Sequence, residues 1–226
     1  MIRFNILWII LLSCILIQCT TAMQEADVQV KSGEAIVSGN FLSTYQVYKE
    51  RSNLVWYCSY KYVSTEHYGN IEIKEGNVQM DGANIVGAQF TFDTRQLKVK
   101  DITDTKENNN FEWIMKSPTF FNADSFETIT ITIDSIVVEK EDKEHSNKEN
   151  TCKANAHITI KGITQTLNIP INYSLENDQI NLHSTFKINR VKWDMTYGVE
   201  TSTSNLLNDK IIDELMSFKL NITAVK

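Results

Sequence analysis

The sequence has little that does covalent chemistry. Its four histidines, His67, His145, His157 and His183, stand singly, and there is no His-Glu-x-x-His, no Gly-x-Ser-x-Gly and no phosphate-cradling glycine loop. A nucleophile, a base and an orienting group are therefore not legible together, which argues against an enzyme. Positive charge is also short. With 22 Lys and Arg against 28 Asp and Glu the net charge is −6, and without a basic footprint there is no case for nucleic acid as a partner. The four cysteines include no Cys-x-x-Cys, so a dithiol redox role is disfavoured, and no set of side chains has metal-ligand spacing. Internal repeats and collagenous or glutamine-rich tracts are absent.

Long hydrophobic runs are missing except at the N-terminus. Arg3 is the only charge before the apolar stretch Ile6 to Ile17, which is too short to span a bilayer core of roughly 30 Å and reads as the core of a signal peptide. Export, to the periplasm or to the cell envelope as a membrane-anchored lipoprotein, is the expectation. Three exits compete: Leu16-Ile17-Gln18-Cys19 as a lipoprotein box with lipidation at Cys19, cleavage after Thr20-Thr21-Ala22, and a box ending at Cys14. The organisation expected is a signal with a candidate lipoprotein box over 1–19, a tether over 20–43 and one domain over 44–226. Glu139 to Lys148 mixes Lys and Glu without a basic block and reads as a solvated loop.

What the chain does have is alternation. Ile129, Ile131, Ile133; Leu167, Ile169, Ile171, Tyr173, Leu175; Ile180, Leu182, Ser184, Phe186, Ile188; and Met216, Phe218, Leu220, Ile222, Ala224 interleave with Thr, Asn, Lys and Ser. Period two is what a half-buried strand requires, because successive side chains point to opposite faces. With little helix to cover the apolar face, the sheet must close on itself or stack on another, and closure also removes exposed edges. Gly-containing or Asn-Asp turns are expected at Glu75-Gly76, Asp81-Gly82, Lys161-Gly162 and Asn177-Asp178, making short strands of Asn70 to Lys74 and Asn77 to Met80. Asn108-Asn109-Asn110 reads as a helix cap before Phe111 to Lys116, and Asn205 to Leu215 as a second short helix.

Trp56, Phe90, Phe92, Phe186, Trp193 and Phe218 are candidates for the inner face, as ligand contacts or as filling of the core. Phe111 to Met115, with Trp113, leads into Phe120 and Phe121, a connection so apolar that it should pack into or over a barrel mouth. For polar recognition the candidates are His67, Asn189 and Arg190, the last either a fork for a phosphate or carbonyl, or a structural clamp. Cys58 and Cys152 read as two separate buried thiols in preference to a bridge.

Six motifs in order carry a resemblance: Ser52 to Trp56, His67 to Ile71, Gly87 to Asp93, Lys116 to Phe121, Ile158 to Thr164, and Phe186 to Arg190 followed by Trp193 and Tyr197-Gly198. Over residues 44–226 the chain resembles the YceI-like family of lipocalin-like proteins. The resemblance implies an all-β fold, a closed antiparallel lipocalin-like barrel of about eight strands with one or two short helices. It further implies non-catalytic binding, storage or transport of a polyisoprenoid such as a quinone or prenyl phosphate. No cofactor is expected besides that lipid, and the membrane would be a partner only through a lipidated Cys19. A barrel enzyme acting on a lipid, or a structural envelope module with a filled core, remain the alternatives, and the oligomeric state is open, a homodimer included. The chain departs from its relatives where Trp113-Ile114-Met115 replaces their His and Leu, and where Glu139 to Asn150 is inserted.

Overall fold

Each alternating run folds as a strand with its apolar set turned inward. The computed structural model describes residues 42–137, 150–200 and 211–226, all within Gly39–Lys226. The signal, Cys19, most of the tether and the charged stretch 139–149 lie outside the described residues. The strands are β1 (Leu42–Val47), β2 (Asn53–Tyr60), β3 (Glu66–Asp81), β4 (Asn84–Val99), β5 (Thr128–Val137), β6 (Asn150–Ile160), β7 (Ile163–Glu176), β8 (Gln179–Asn189) and β9 (Ile212–Val225). All pair antiparallel in the order β1-β3-β2-β9-β8-β7-β6-β5-β4, and β3 pairing with β4 closes the ring. β1 lies against Asn77–Asp81 of β3 and β2 against Glu66–Glu72, and both also pair with β9. Joined by the 3-10 turn Lys49–Arg51, they share one place in the wall, so the barrel has eight positions.

The turns follow backbone chemistry. Lys161-Gly162 and Asn177-Asp178 have positive φ at both central residues, and Gly82 at the first of two, the conformations whose twist suits tight hairpins. Glu75-Gly76 is not a turn. β3 runs through it with a register shift between Ile73 and Glu75, so one long strand replaces two short ones. Gly76 is used there for closeness: a Cβ would sit 2.8 Å from the Gln89 carbonyl and 3.0 Å from Phe90 and Val47.

One helix, α1 (Thr105–Lys116), is described. It starts before the Asn run, because the Asp104 carboxylate accepts the Glu107 N–H at 2.9 Å and caps it. Asn108 instead donates to the Val99 and Ile102 carbonyls, tying α1 to the end of β4. The helix expected near 205–215 is also corrected where it can be seen: Ile212 to Leu215 begin β9, Ile212 paired with Tyr60 of β2 and Leu215 with Asn189 of β8, while the Asp213 and Ile212 carbonyls take Arg190 as donor. α1, the 117–126 connection and the 3-10 turn Arg190–Trp193 all sit at the end of the barrel where β2, β4, β6 and β8 finish, hereafter the helix end.

One wall is incomplete. β8 pairs with β9 along its whole length, Gln179 to Asn189. With β7 it pairs only from Asn172 and His183 to Glu176 and Gln179, so toward the helix end the two strands run on without a ladder.

Candidate functional site

The inner face is mostly apolar: Leu54 and Trp56 from β2, Phe90 and Phe92 from β4, Ile129, Ile131 and Ile133 from β5, Ile169 and Ile171 from β7, Phe218 and Leu220 from β9, with Ser184 of β8 as a buried polar member. Trp56, Phe90, Phe92 and Phe218 are 0–1% exposed, whereas Phe186 is 7% exposed. Phe186 and Phe218 are direct cross-strand partners and stack at 5.7 Å between centroids.

The helix end is closed by side chains. Phe111 of α1 stacks on Trp56 at 6.4 Å and meets the His67 ring at 4.5 Å. Phe120 and Phe121 are fully buried, 5.3 Å apart, as expected for a plug. Trp113 contradicts that expectation: it is 73% exposed. At 100° per residue it points away from Phe111 and Met115, which share the inward face, so the helix turns it to solvent.

The polar candidates are mostly spent on the fold. Arg190 is fully buried and donates through Nε to the Asp213 carbonyl, through Nη1 to Met195 and through Nη2 to Ile212, with its guanidinium 5.5 Å from the Phe120 ring. Burial pulls its pKa down against the pull of Glu214 and Asp213. Of its two readings, head-group fork and structural clamp, Arg190 takes the clamp on backbone carbonyls. Asn189 accepts the Val191 N–H and donates to Glu214, capping the 3-10 turn. Trp193 donates its indole N–H to the Ile158 carbonyl. His67 Nδ1 lies 2.6 Å from Asp101 Oδ2, and the other Asp101 oxygen accepts the Tyr68 N–H. Trp56 differs: its indole N–H is buried and, among the described residues, has no acceptor, a state costing roughly 1–3 kcal/mol.

The sequence model of the YceI-like domain matches residues 45–224. The chain belongs to the YceI-like family. Two solved structures share the fold: Burkholderia cenocepacia BcnA, at 18% identity and TM-score 0.58 over 79% of this chain and 99% of the other, and a polyisoprenoid binding domain from Saccharophagus degradans implicated in plant cell wall breakdown, at 13% identity and TM-score 0.57 over 80% and 97%. Comparison with curated proteins finds no sequence match.

Two residues of this YceI-like barrel escaped the sequence reading. Lys161, though at a hairpin turn, is buried, and its ammonium donates to the Pro118 carbonyl and to the Asp194 carbonyl and carboxylate. It thereby pins the plug to the segment after β8. Asp194 takes a positive φ of 57°. No local pattern signals either, since their partners lie 33 to 43 residues away. Cys58 and Cys152 are free and buried. Burial pushes the Cys58 thiol up to about 12 and also raises Cys152, so neither supplies a thiolate. Among the described residues no three His, Cys, Asp or Glu gather to hold a metal. A groove of ≈ 460 Å³ is lined by Lys49, Glu50, Ser52, Asn53, Asn70 and Glu72 with Ile73 as its apolar member, a mostly polar and charged lining unsuited to an apolar chain.

Proposed function

We propose that this YceI-like barrel holds a long apolar chain, an isoprenoid quinone, a polyprenyl phosphate or a similar lipid, along its interior as a non-catalytic carrier or store in the bacterial cell envelope. The observation carrying this reading is the apolar and aromatic lining, interrupted by few polar groups, inside a ring of strands, with the polar candidates His67, Asn189 and Arg190, and Lys161 beside them, engaged in structural bonds. The Saccharophagus degradans domain, described as polyisoprenoid binding, supports it. At about 0.8 kcal/mol per buried CH₂, a few isoprene units offset the cost of ordering the chain. Trp56, with its buried unpartnered N–H, is the donor we assign to the ligand's oxygen.

A second reading, a structural module with a filled core, is favoured by the same aromatics: surfaces that are 0–1% exposed are packed, so a chain must displace them. Extracting the purified protein with organic solvent and identifying the lipid by mass spectrometry separates the two. Isoprenoid near one per barrel is expected. A protein that carries no lipid and takes up none favours the filled module, and turnover of the bound lipid makes the barrel an enzyme. Anchoring through Cys19 belongs to the same proposal. Labelling with a fatty acid should mark the wild-type chain and not Cys19→Ala, and an unlabelled mature chain beginning at Met23 would instead place cleavage after Ala22.

A further inference from the structure

The geometry points to the unpaired stretch between β7 and β8 as a lateral gate through which the apolar chain enters and leaves. This inference rests on the binding reading above and adds the route. The ladder stops at Asn172 and His183 although both strands continue, β7 back to Ile163 and β8 on to Asn189. Pro170 supplies the reason. Its carbonyl accepts the Ser184 hydroxyl at 2.6 Å, so this backbone edge faces β8, and on that edge proline has no N–H to give. Beyond it, two side-chain hydrogen bonds cross toward β8: that from Ser184, and Gln165 Nε2 to the Lys192 carbonyl at 3.4 Å.

Burial marks the same place as thin. Ile163, Gln165 and Leu167, on the inward phase of β7, are half-buried in succession, Ile169, Ile171 and Tyr173 are buried, and only Leu175 beside the far turn is half-buried again. Phe186 on the facing strand is buried, though less completely than Trp56, Phe90, Phe92 and Phe218. Apolar lining thus reaches the outside between two strands that no backbone ladder holds together.

The neighbouring mouth is fastened instead. Lys161 bonds to Pro118 and Asp194, Thr119 accepts both the Thr196 and Tyr197 N–H groups, and Met115 accepts the Phe121 N–H. Threading a chain past that plug breaks several hydrogen bonds. Parting β7 from β8 breaks few, and a turn of Phe186 opens the lining.

The test locks the seam. Asn168 and Lys187 stand four positions beyond the last pair, Asn172 and His183, on the outward phase, where the ladder would have joined them. In the full chain carrying Cys14→Ser and Cys19→Ser, Asn168→Cys and Lys187→Cys are joined by a short bis-methanethiosulfonate linker, each cysteine thiolate displacing methanesulfinate to form a reducible disulfide. The control joins Lys187→Cys to Ser217→Cys, a registered pair across the complete β8–β9 wall. Cys58 and Cys152 are buried in the barrel, out of reach of the linker. The probe is menatetrenone, an isoprenoid quinone that quenches tryptophan fluorescence. We expect uptake and release both to slow about tenfold or more across the seam, with Kd unchanged and full recovery on reduction, and no slowing in the control. Unchanged rates would overturn the gate and leave the binding reading intact, with entry at an end of the barrel. Failure of menatetrenone to bind the unlinked protein would overturn both. A readout without substitutions comes from hydrogen exchange on the unaltered chain: the seam-facing amides of Thr164, Thr166 and Asn168 on β7 and of Thr185 and Lys187 on β8 should exchange faster than those of Asn172, Ser174, Asn181 and His183 in the laddered half, and gain protection with menatetrenone. Equal exchange along both strands would also overturn the gate.

Discussion

The two edges of β8 are a controlled comparison inside one molecule. Toward β9 every residue from Gln179 to Asn189 has a partner, and Arg190 extends the join by clamping the Asp213 and Ile212 carbonyls where β9 begins. Toward β7 the ladder covers only the half remote from the helix end. Both neighbours carry the same alternation and present the same kind of apolar face. The difference teaches that side-chain period decides which residues turn inward, whereas backbone donors decide whether two strands are fastened.

Breaking the fastened side should have the largest effect. Arg190→Met leaves three buried carbonyls without their donor, and we expect a loss of about 3–5 kcal/mol in urea unfolding, given what buried charge-assisted hydrogen bonds and orphaned acceptors contribute. A loss under about 1 kcal/mol would mean that water replaces the guanidinium.

The stacked pair across β8 and β9 sharpens the contrast. Phe218→Ala should cost about 4 kcal/mol, as for a packed core aromatic, and Phe186→Ala about half of that, because Phe186 borders the loose seam. Thermal unfolding of both variants decides it, and equal losses would show the seam to be as tight as the complete wall. By the same reasoning Leu220→Ala should cost about 3 kcal/mol and half-buried Leu167→Ala about 1 kcal/mol.

Alkaline pH tests how dry the fastened side is. Cys58, on β2 beside β9, has its thiol raised by burial from 9.0 to about 12. The folded state therefore holds a proton that the unfolded state gives up, so stability is unaffected below about pH 9 and falls as pH rises toward 12. Cys58→Ala should flatten that fall in denaturation midpoints measured from pH 8 to 11. The smallest effect is expected from Pro170→Ala, which returns an N–H to the β7 edge: stability should move by no more than about 0.5 kcal/mol while hydrogen exchange of the Thr185 and Lys187 amides, which face β7, slows.

Much of the wall was legible in the residues. The inward sets of β5, β8 and β9 are buried as their alternation implies, and Lys161-Gly162 and Asn177-Asp178 turn where their chemistry allows positive φ. Glu75-Gly76 misled because glycine serves two purposes, turning and close approach, and only the strand across it, with Gln89 and Phe90 at contact distance, distinguishes them. Trp113 misled because a dense apolar segment was read without its helical phase: three residues of Phe111 to Met115 turn inward or sideways while the tryptophan turns out. Of the candidate site, the aromatic lining was visible from period and composition. The duties of Arg190 and Asn189 were not, because a buried donor is defined by acceptors such as the Met195 and Ile212 carbonyls, which only folding brings near.

Sequence by itself determined the antiparallel strands and the inward set, since period two and turn chemistry act over a few neighbouring residues, and the ordered motifs that carry the family resemblance selected a closed barrel over stacked sheets. Tertiary structure alone decided that the helix end is plugged through Lys161 and Arg190, that Trp56 keeps a buried N–H without an acceptor, and that β8 is fastened on one edge and loose on the other. Those outcomes depend on which backbone groups meet across the barrel, and no stretch of chain carries that information until distant strands share a wall.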